Sequence, residues 1–297
     1  MTVPPYRPIS EVAGSRAERV LILTHGAAEV TAGVMPTVIS ILDARGVEVA
    51  ATAEEAAKHP PLAERTIMEP TDLRGDGSDL VLVLGGDGSI QRALSREATT
   101  GAPVLGVNFG RVGFLASVEQ SDLERGVTRA LDGDYITLGL PSLKAEWSEG
   151  TLQAVNDLAF LRGGESRLAD LSYSVSGEPV ATVRCDGLIC STPVGSTAYN
   201  LAAGGPTVSW RVKCFVLSFI AAHHLDTRPL ILAADEKLTV TNSAIVGDCD
   251  VLADGVRIAA LPPGRSITVG LGGEEVHLAI FPESSFFRRY REKFGRP

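Results

Sequence analysis

An α/β domain followed by an all-β domain is the fold class that this sequence predicts. Three observations support it. A run of five apolar residues, Leu80 to Leu84, passes directly into the glycine turn GGDGS at 85–89. Strand-like and helix-like segments alternate along the N-terminal part of the chain. After Asp132-Gly133-Asp134 the helical period fades, and short segments of strand character follow one another.

The N-terminal part is predicted to form an open parallel sheet with helices on both faces. Strands are expected at 20–23, 47–50, 80–84 and 103–107. Between the first two strands, one face of a helix that Gly46 ends is marked by Val34, Val38, Ile41 and Leu42. Ligands of such sheets bind at the carboxyl ends of the strands, where GGDGS follows Leu84.

Residues 136–275 are predicted to form an all-β domain of sandwich type. Segments 171–176 and 180–184 flank Gly177-Glu178-Pro179 as the arms of a hairpin would. Further strand-like segments are 238–241, 251–258 and 266–271.

The last segment, 276–297, is assigned to the first domain together with 1–135. Ser284 or Ser285 is placed to cap a final helix. One stripe of this helix is aromatic, and we expect it to pack back on the first domain; the stripe consists of Phe286, Phe287, Tyr290 and Phe294. The basic residues are expected largely on the other side, and they are Arg288, Arg289, Arg291 and Lys293.

The GGDGS turn combines features of a phosphate site with one carboxylate. Its glycines permit a tight turn and let phosphate oxygens approach backbone amides. Ser89 is expected to cap the helix that Ile90 begins, so that helix amides also face the turn. A negative charge at Asp87 is unsuited to simple phosphate holding, which favours chemistry on a phosphate; the alternative is a plain strand–helix turn with a solvated Asp.

Composition limits the function classes. The chain has 297 residues, a length at which two domains are expected. Its net charge of −9 argues against sequence-independent binding of nucleic acid. No signal peptide or membrane span is visible, so the prediction is a cytoplasmic protein. The four cysteines lack C-x-x-C spacing, and no protein-built metal site is predicted.

Three further blocks are candidate ligand sites. Residues 186–206 read DGLICSTPVGSTAYNLAAGGP, of which 11 of 21 are Gly, Ser, Thr or Ala, a composition suited to a polar pocket wall. The alternative is a glycine-rich loop between strands. Asn156-Asp157 could hold two ribose hydroxyls, although such a pair alone is more often a turn. At 108–115, NFGRVGFL follows a strand and offers Phe114 for stacking.

Together these blocks resemble the NAD kinase family, over most of the chain. The order and approximate spacing match for GGDGS, N-x-G-x-x-G-F-L, Asn156-Asp157, the block at 186–206, LDTRPL at 225–230, Asp254-Gly255 and the Phe286-Phe287 end. GGDG alone is also found in diacylglycerol-type lipid kinases and phosphofructokinases, whereas the 186–206 block is highly specific.

The resemblance implies the following roles. Asp87 is the general base that takes the 2′-hydroxyl proton of the adenosine ribose, with Gly88 and neighbouring amides steering phosphates and Arg92 on the phosphate side. Asn156 and Asp157 hold NAD. Further nucleotide contacts are implied for Phe114, Arg167, Arg184, Asp186, Thr197, Ala198, Tyr199, Asn200, Leu201 and Ala202.

The resemblance also implies ATP, or polyphosphate, as donor and NAD as acceptor, with Mg²⁺ or another divalent cation brought by the donor. It implies a homodimer or homotetramer and the same α/β-plus-β-sandwich fold. Asp157 stands where Glu is commoner, Asn200 replaces a usual Ser, and Val256 replaces a usual Gln. The stretch 218–223 lacks the usual prolines before His223. The rival functions are a diacylglycerol-type lipid kinase, for which 186–206 is too polar, and a non-catalytic NAD(P) sensor.

Overall fold

The computed structural model describes residues 10–68, 77–97, 101–110, 113–164, 168–224, 226–273 and 275–295. The chain divides into two compact units. The α/β unit comprises Ser10–Leu140 and Val276–Pro297, and the β unit contains Pro141–Glu275. Arg167 and residues 111–112 of the N-x-G-x-x-G-F-L motif lie outside the described residues.

The strands, in chain order, are β1 (Glu11–Ala13), β2 (Arg19–Thr24), β3 (Glu48–Thr52), β4 (Thr66–Met68), β5 (Leu80–Gly85), β6 (Val104–Asn108), β7 (Val118–Glu119), β8 (Ile136–Leu140), β9 (Leu143–Trp147), β10 (Gly150–Ala154), β11 (Asp157–Arg162), β12 (Ala169–Val175), β13 (Glu178–Cys185), β14 (Gly187–Ser191), β15 (Cys214–Ile220), β16 (Leu230–Ala233), β17 (Leu238–Asn242), β18 (Cys249–Ala253), β19 (Val256–Leu261), β20 (Ser266–Leu271) and β21 (Val276–Ile280). The helices are α1 (Met35–Ala44), α2 (Ala53–Lys58), α3 (Asp87–Glu97), α4 (Leu123–Leu131), α5 (Tyr199–Ala202) and α6 (Phe286–Phe294).

The α/β unit is built on one sheet with the strand order β1-β8-β21-β6-β5-β2-β3-β4, and β7 pairs with β6. From β21 through β4 the neighbouring strands are parallel. Every side chain of Leu80–Leu84 is buried, as a central strand covered on both faces requires. The predicted parallel α/β sheet is confirmed, with an antiparallel edge formed by β8 and β1.

The α1 helix differs slightly from the predicted one. It begins at Met35, and its buried residues are Met35, Val38, Ile39 and Leu42 rather than the predicted set. Val34 and Ile41 are partly buried against the same core. Gly46, with a φ of +65°, adopts the left-handed conformation that follows many helices.

The first unit extends to Leu140, five residues beyond the boundary predicted at residue 135. The β8 strand pairs antiparallel with β21, from Val276↔Leu140 to Ile280↔Ile136. Its short alternating pattern therefore belongs to the edge of the α/β sheet. The division along the chain falls after Leu140, because this strand needs β21 as its hydrogen-bonding partner.

The β unit consists of two six-stranded antiparallel sheets. Their orders are β10-β9-β20-β17-β12-β13 and β16-β15-β14-β11-β18-β19. A single core contains Leu171 and Val240 from the first sheet with Phe160 and Phe215 from the second. Apolar faces of two sheets that share one core define a sandwich, as the sequence predicts.

Two hairpins in the β unit turn where two successive residues have positive φ. Between β12 and β13 these are Ser176 and Gly177, so Glu178 and Pro179 belong to the strand and not to the turn. Between β18 and β19 they are Asp254 and Gly255. The predicted single strand 251–258 is therefore wrong: Asp-Gly, a strong signal for a two-residue hairpin turn, divides it.

Candidate active site

The GGDG turn forms at the carboxyl end of β5. A Cβ on Gly85 would lie 2.5 Å from the Cβ of Ser89, and one on Gly86 would lie 3.4 Å from the Cα of Gly110. The turn therefore packs too closely at Gly85 for any side chain. The α3 helix begins at Asp87, earlier than predicted, so Ser89 lies within its first turn and does not cap it. The buried Ser89 hydroxyl instead accepts a hydrogen bond from Arg92 Nη2 at 3.2 Å.

The carboxylate of Asp87 is held by two backbone amides of the following loop. Its Oδ2 accepts from the Phe114 amide at 2.8 Å, and its Oδ1 accepts from the Leu115 amide at 2.9 Å. A carboxylate oxygen has about two lone pairs, so each oxygen keeps acceptor capacity beyond its amide. Asp87 is half-buried and Gly88 is exposed, which leaves this end of α3 accessible. The group is thus fixed in orientation, with lone pairs left to accept further hydrogen bonds.

Local geometry dictates the shape of the 113–115 loop. Gly113 has a φ of +62°, and a Cβ there would lie 2.2 Å from Asn108 Nδ2. Asn108, the last residue of β6, accepts from the Gly110 amide at 2.9 Å and donates to Glu119 Oε2 at 3.0 Å. The asparagine and glycines of the N-x-G-x-x-G-F-L motif therefore position the amides that bind Asp87.

Phe114 does not have the stacking role predicted for it. Its ring is only 2% exposed. Its centroid lies 5.5 Å from that of Phe286 and 5.9 Å from that of Phe294, both on α6. The ring anchors the loop in an aromatic cluster of the α/β unit, and its contribution to the site is the backbone amide.

The α6 helix has the predicted cap and a different buried face. Ser285 caps it by accepting from the Arg288 amide. Arg289, predicted among the solvent-facing basic residues, is 5% exposed, whereas Phe287 is 70% exposed. Arg289 Nη1 donates to the carbonyls of Phe114, at 2.8 Å, and Ala116, and Nη2 donates to Ser117 Oγ at 3.2 Å. Burial lowers the pKa of Arg289 to about 10, so it remains a cation at neutral pH. Sequence periodicity gave no signal for this residue.

In the β unit, Asn156 and Asp157 stand where β10 passes into β11. Their backbone amides, with that of Val155, donate to the carboxylate of Asp254, at distances of 2.9 Å (Val155), 2.7 Å (Asn156) and 3.2 Å (Asp157). The Asp254 amide donates back to the Asp157 carbonyl at 2.9 Å. The Asp-Gly motif, noted in the sequence without a role, thus fixes the backbone of the predicted NAD-binding pair.

Asp157 is buried, and Asn156 is half-buried with its Oδ1 atom inaccessible to solvent. Among the described residues, Asn156 Oδ1 is buried with no hydrogen-bond partner. Asp157 is 5% exposed. Burial, and secondarily the charge of Asp254, raises the pKa of Asp157 from 3.8 to about 7. A buried acceptor and a carboxyl group titrating near neutrality are features of a binding site for a polar ligand.

The 186–206 block folds as a wall against this pair. A Cβ on Gly195 would lie only 2.1 Å from Asn156 O, so only glycine allows the two segments to approach this closely. The Thr192 hydroxyl donates to Val155 O at 2.7 Å and accepts from the Gly195 amide at 3.0 Å. Burial, with the charges of Asp157 and Asp186, raises the pKa of Tyr199, which places these groups in one electrostatic neighbourhood. Ala198, Tyr199 and Ala202 are exposed, and Thr197 and Leu201 are half-buried.

Asn200 has a structural role that the sequence did not indicate. It is fully buried, its amide donates to the carbonyls of Ser196 and Pro206 at 3.0 Å each, and its Oδ1 accepts from Ser218 Oγ at 2.7 Å. Both ends of its side chain are thus engaged within the protein, and its predicted place in the nucleotide-binding wall stays a prediction. Asn200, which departs from the family pattern, thus pairs with the first residue of the stretch 218–223 that lacks the usual prolines.

Arg184 and Asp186 form surface ion pairs. Arg184 binds Asp170 on the adjacent β12 through Nε at 2.8 Å and Nη2 at 3.3 Å. Asp186 lies 3.3 Å from Arg162 Nε. Their predicted nucleotide contacts stay predictions. Over the described ranges, no three or more His, Cys, Asp or Glu side chains are grouped to hold a metal ion, and no helix is long and apolar enough to cross a bilayer.

Comparisons with known proteins match both units. The model of the ATP-NAD kinase N-terminal domain matches residues 16–135, and that of the ATP-NAD kinase C-terminal domain matches residues 155–280. NAD kinase 2 of Streptomyces coelicolor is 34% identical over 289 residues, which cover 95% of this chain and 96% of that protein. The NAD kinase of Gemmatimonas aurantiaca is 37% identical over 223 residues, covering 73% and 77% respectively.

Two solved structures share the fold. A yeast NADH kinase complexed with NADH superposes with a TM-score of 0.82 and 24% identity, covering 95% of this chain and 88% of that one. An NAD kinase from Archaeoglobus fulgidus in complex with ATP superposes with a TM-score of 0.71 and 24% identity, covering 93% and 97%. With both domain models and a full-length relative in agreement, the chain belongs to the NAD kinase family and is an enzyme that phosphorylates NAD.

Proposed function

We propose that Asp87 is the general base of this kinase, with the adenosine ribose 2′-hydroxyl of NAD as acceptor and ATP as donor. The observation that carries this assignment is the orientation of the Asp87 carboxylate, held by two amides at the first residue of α3. One oxygen takes the hydroxyl proton while the ribose oxygen forms a bond to the γ-phosphorus. The bond from that phosphorus to the bridging oxygen breaks, and ADP leaves with its electron pair.

Phosphoryl transfer depends on placing and neutralising the donor phosphates. The exposed amide at Gly88 and the positive end of the α3 dipole attract anions. Arg92 is exposed on the same helix, five residues beyond Asp87, and supplies a cation on the phosphate side. We propose that Mg²⁺, or another divalent cation, arrives with the donor, where it neutralises phosphate charge.

We propose that Asn156 and Asp157 hold NAD through hydrogen bonds to the ribose hydroxyls of the nucleotide. The buried Oδ1 of Asn156 accepts one ligand hydrogen bond, which answers its lack of a partner among the described residues. Asp157 accepts another when ionised. The half-buried and exposed residues of Thr197–Ala202, Tyr199 above all, supply a surface for the adenosine portion, with Asn200 supporting that surface from behind.

The substrates are tested by assaying the purified protein for NADP⁺, or for NADPH where NADH is the acceptor, with a cycling assay that uses an NADP-specific dehydrogenase. NAD⁺ or NADH is offered as acceptor, each with Mg-ATP or Mg-polyphosphate as donor. We expect product with Mg-ATP and NAD⁺, and the remaining pairs define donor and acceptor preference. Tight NAD⁺ binding without product from any pair would contradict the proposal and favour a sensor.

The homodimer or homotetramer implied by the resemblance remains a proposal. Ile245 and Val246, in the loop between β17 and β18, are 95% and 80% exposed, and adjacent exposed apolar residues of this kind favour an interface.

Light scattering coupled to size-exclusion chromatography should give two or four times the chain mass of 31.2 kDa. The double substitution of Ile245 and Val246 by Ser should lower that mass. The control is Val12→Ser, which changes an exposed apolar residue of the α/β unit. A wild-type mass of one chain would contradict the proposal.

A cytoplasmic location also stays a prediction. All four cysteines are free and buried, and burial raises the pKa of the Cys185 thiol to about 11. Such thiols are unreactive and suit a reducing compartment.

A further inference from the structure

Arg289 reaches Asp87 through a single peptide group. The bond between Phe114 and Leu115 presents its N–H to Asp87 Oδ1 at 2.9 Å and its carbonyl to Arg289 Nη1 at 2.8 Å. One planar peptide therefore separates the guanidinium from the carboxylate. Because hydrogen bonds at the two ends of a peptide polarise each other, a cation on the carbonyl strengthens the N–H as a donor.

The same guanidinium fixes the rest of the loop. It also donates to the Ala116 carbonyl and to Ser117 Oγ, and the Ser117 hydroxyl in turn donates to Ala279 O on β21 at 2.8 Å. The loop that holds Asp87 is thereby tied to both α6 and the sheet of the α/β unit. This rigid support keeps the Asp87 carboxylate in its orientation. Without such support, a small misplacement of the reacting group would lower the rate of the reaction.

We propose that Arg289 is a positioning residue of the kinase reaction, which orients the Asp87 carboxylate through the Phe114–Leu115 peptide. This rests on the general-base role proposed for Asp87. Burying an arginine is expensive, and burial does lower the pKa of this one, so a purely structural helix would be served better by an apolar side chain. The charge is retained where it faces backbone carbonyls one peptide away from Asp87.

The test compares steady-state kinetics of wild type, Arg289→Met, Arg289→Lys and the neighbouring control Arg288→Met. Arg288 is exposed on the same helix and pairs with Glu292. We expect Arg289→Met to lower kcat by about 100-fold, as small misplacements of reacting groups do, with KM for NAD⁺ and ATP within about twofold. Arg289→Lys keeps the positive charge but loses the second nitrogen donor of the guanidinium, so it should restore part of kcat. The control Arg288→Met should match wild type.

A double-mutant cycle separates positioning from general destabilisation. If Arg289 acts through Asp87, Arg289→Met should have no further effect on kcat in the Asp87→Asn background. Multiplicative losses would overturn the inference, as would wild-type kcat in Arg289→Met, or a rise in both KM values with kcat preserved. If Arg289→Met fails to fold, Arg289→Lys carries the same cycle.

The cycle also distinguishes the two proposals. Full turnover in Asp87→Asn alone would remove the general-base role, whatever Arg289 does. Slow turnover in Asp87→Asn with normal kcat in Arg289→Met would leave that role intact and remove only the positioning role of Arg289.

Discussion

Asp87→Asn should lower turnover by about 10²–10⁴-fold, the usual contribution of a positioned base. Asparagine keeps the size of the side chain and one acceptor oxygen for the loop amides. It has no basic oxygen to take the 2′-hydroxyl proton, so the loss falls on kcat. Saturating NAD⁺ and Mg-ATP in a coupled NADP⁺ assay measures it directly.

A matched control for this substitution is Asp122→Asn. Asp122 also lies at the start of a helix of the α/β unit, with its exposed carboxylate paired to Arg125 at 3.0 Å. Its turnover should equal that of wild type, whereas an equal loss in both variants would mean that the assay responds to charge alone.

Asp157→Asn should stabilise the protein at pH 8. An Asp whose pKa is raised from 3.8 to about 7 in the folded state is ionised at pH 8 in a buried site, at a cost that the same group does not bear in the unfolded chain. Its presence therefore lowers the free energy of unfolding as pH rises from about 4 to about 7, by up to about 4 kcal/mol at 1.36 kcal/mol per pH unit, and has little further effect above pH 7. The neutral Asn removes this destabilisation.

Thermal unfolding at pH 4.5 and pH 8 tests this expectation. The variant and wild type should have similar Tm values at pH 4.5, and the variant should melt several degrees higher at pH 8, at about 2–4 °C per kcal/mol. Asp248→Asn, which changes an exposed carboxylate of the β unit, should follow wild type at both pH values. A variant that is less stable than wild type at pH 8 would contradict a costly ionised Asp157.

The parts of the fold that depend on local sequence could be predicted. Leu80–Leu84 and GGDGS mark the central strand and its turn because a doubly covered strand must be apolar throughout and a crowded turn must lack Cβ atoms. The second unit follows from period-two segments and turn signals. Asp87 could be named because its motif is local, whereas Asn156 and Asp157 could be named only through the resemblance to the NAD kinase family.

The supports of these residues depend on contacts distant in sequence. Arg289 is 175 positions from Phe114, and the Asp254 carboxylate is 98 positions from the Asn156 amide. A basic residue on a short helix is expected to be exposed to solvent. No local feature of the sequence indicates that backbone carbonyls will accept hydrogen bonds from Arg289. The burial of Asn200 likewise depends on Ser218, on a different strand. Such pairs become visible only in three dimensions.

Isothermal titration of NAD⁺ into Asp87→Asn tests the assignment of chemistry to Asp87 and of NAD binding to Asn156 and Asp157 most directly. We expect a Kd within about threefold of wild type, since a base contributes to the transition state and little to ground-state binding. A Kd weakened by two orders of magnitude, in a variant that folds normally and keeps its turnover, would show that Asp87 binds NAD and would contradict its role as the base.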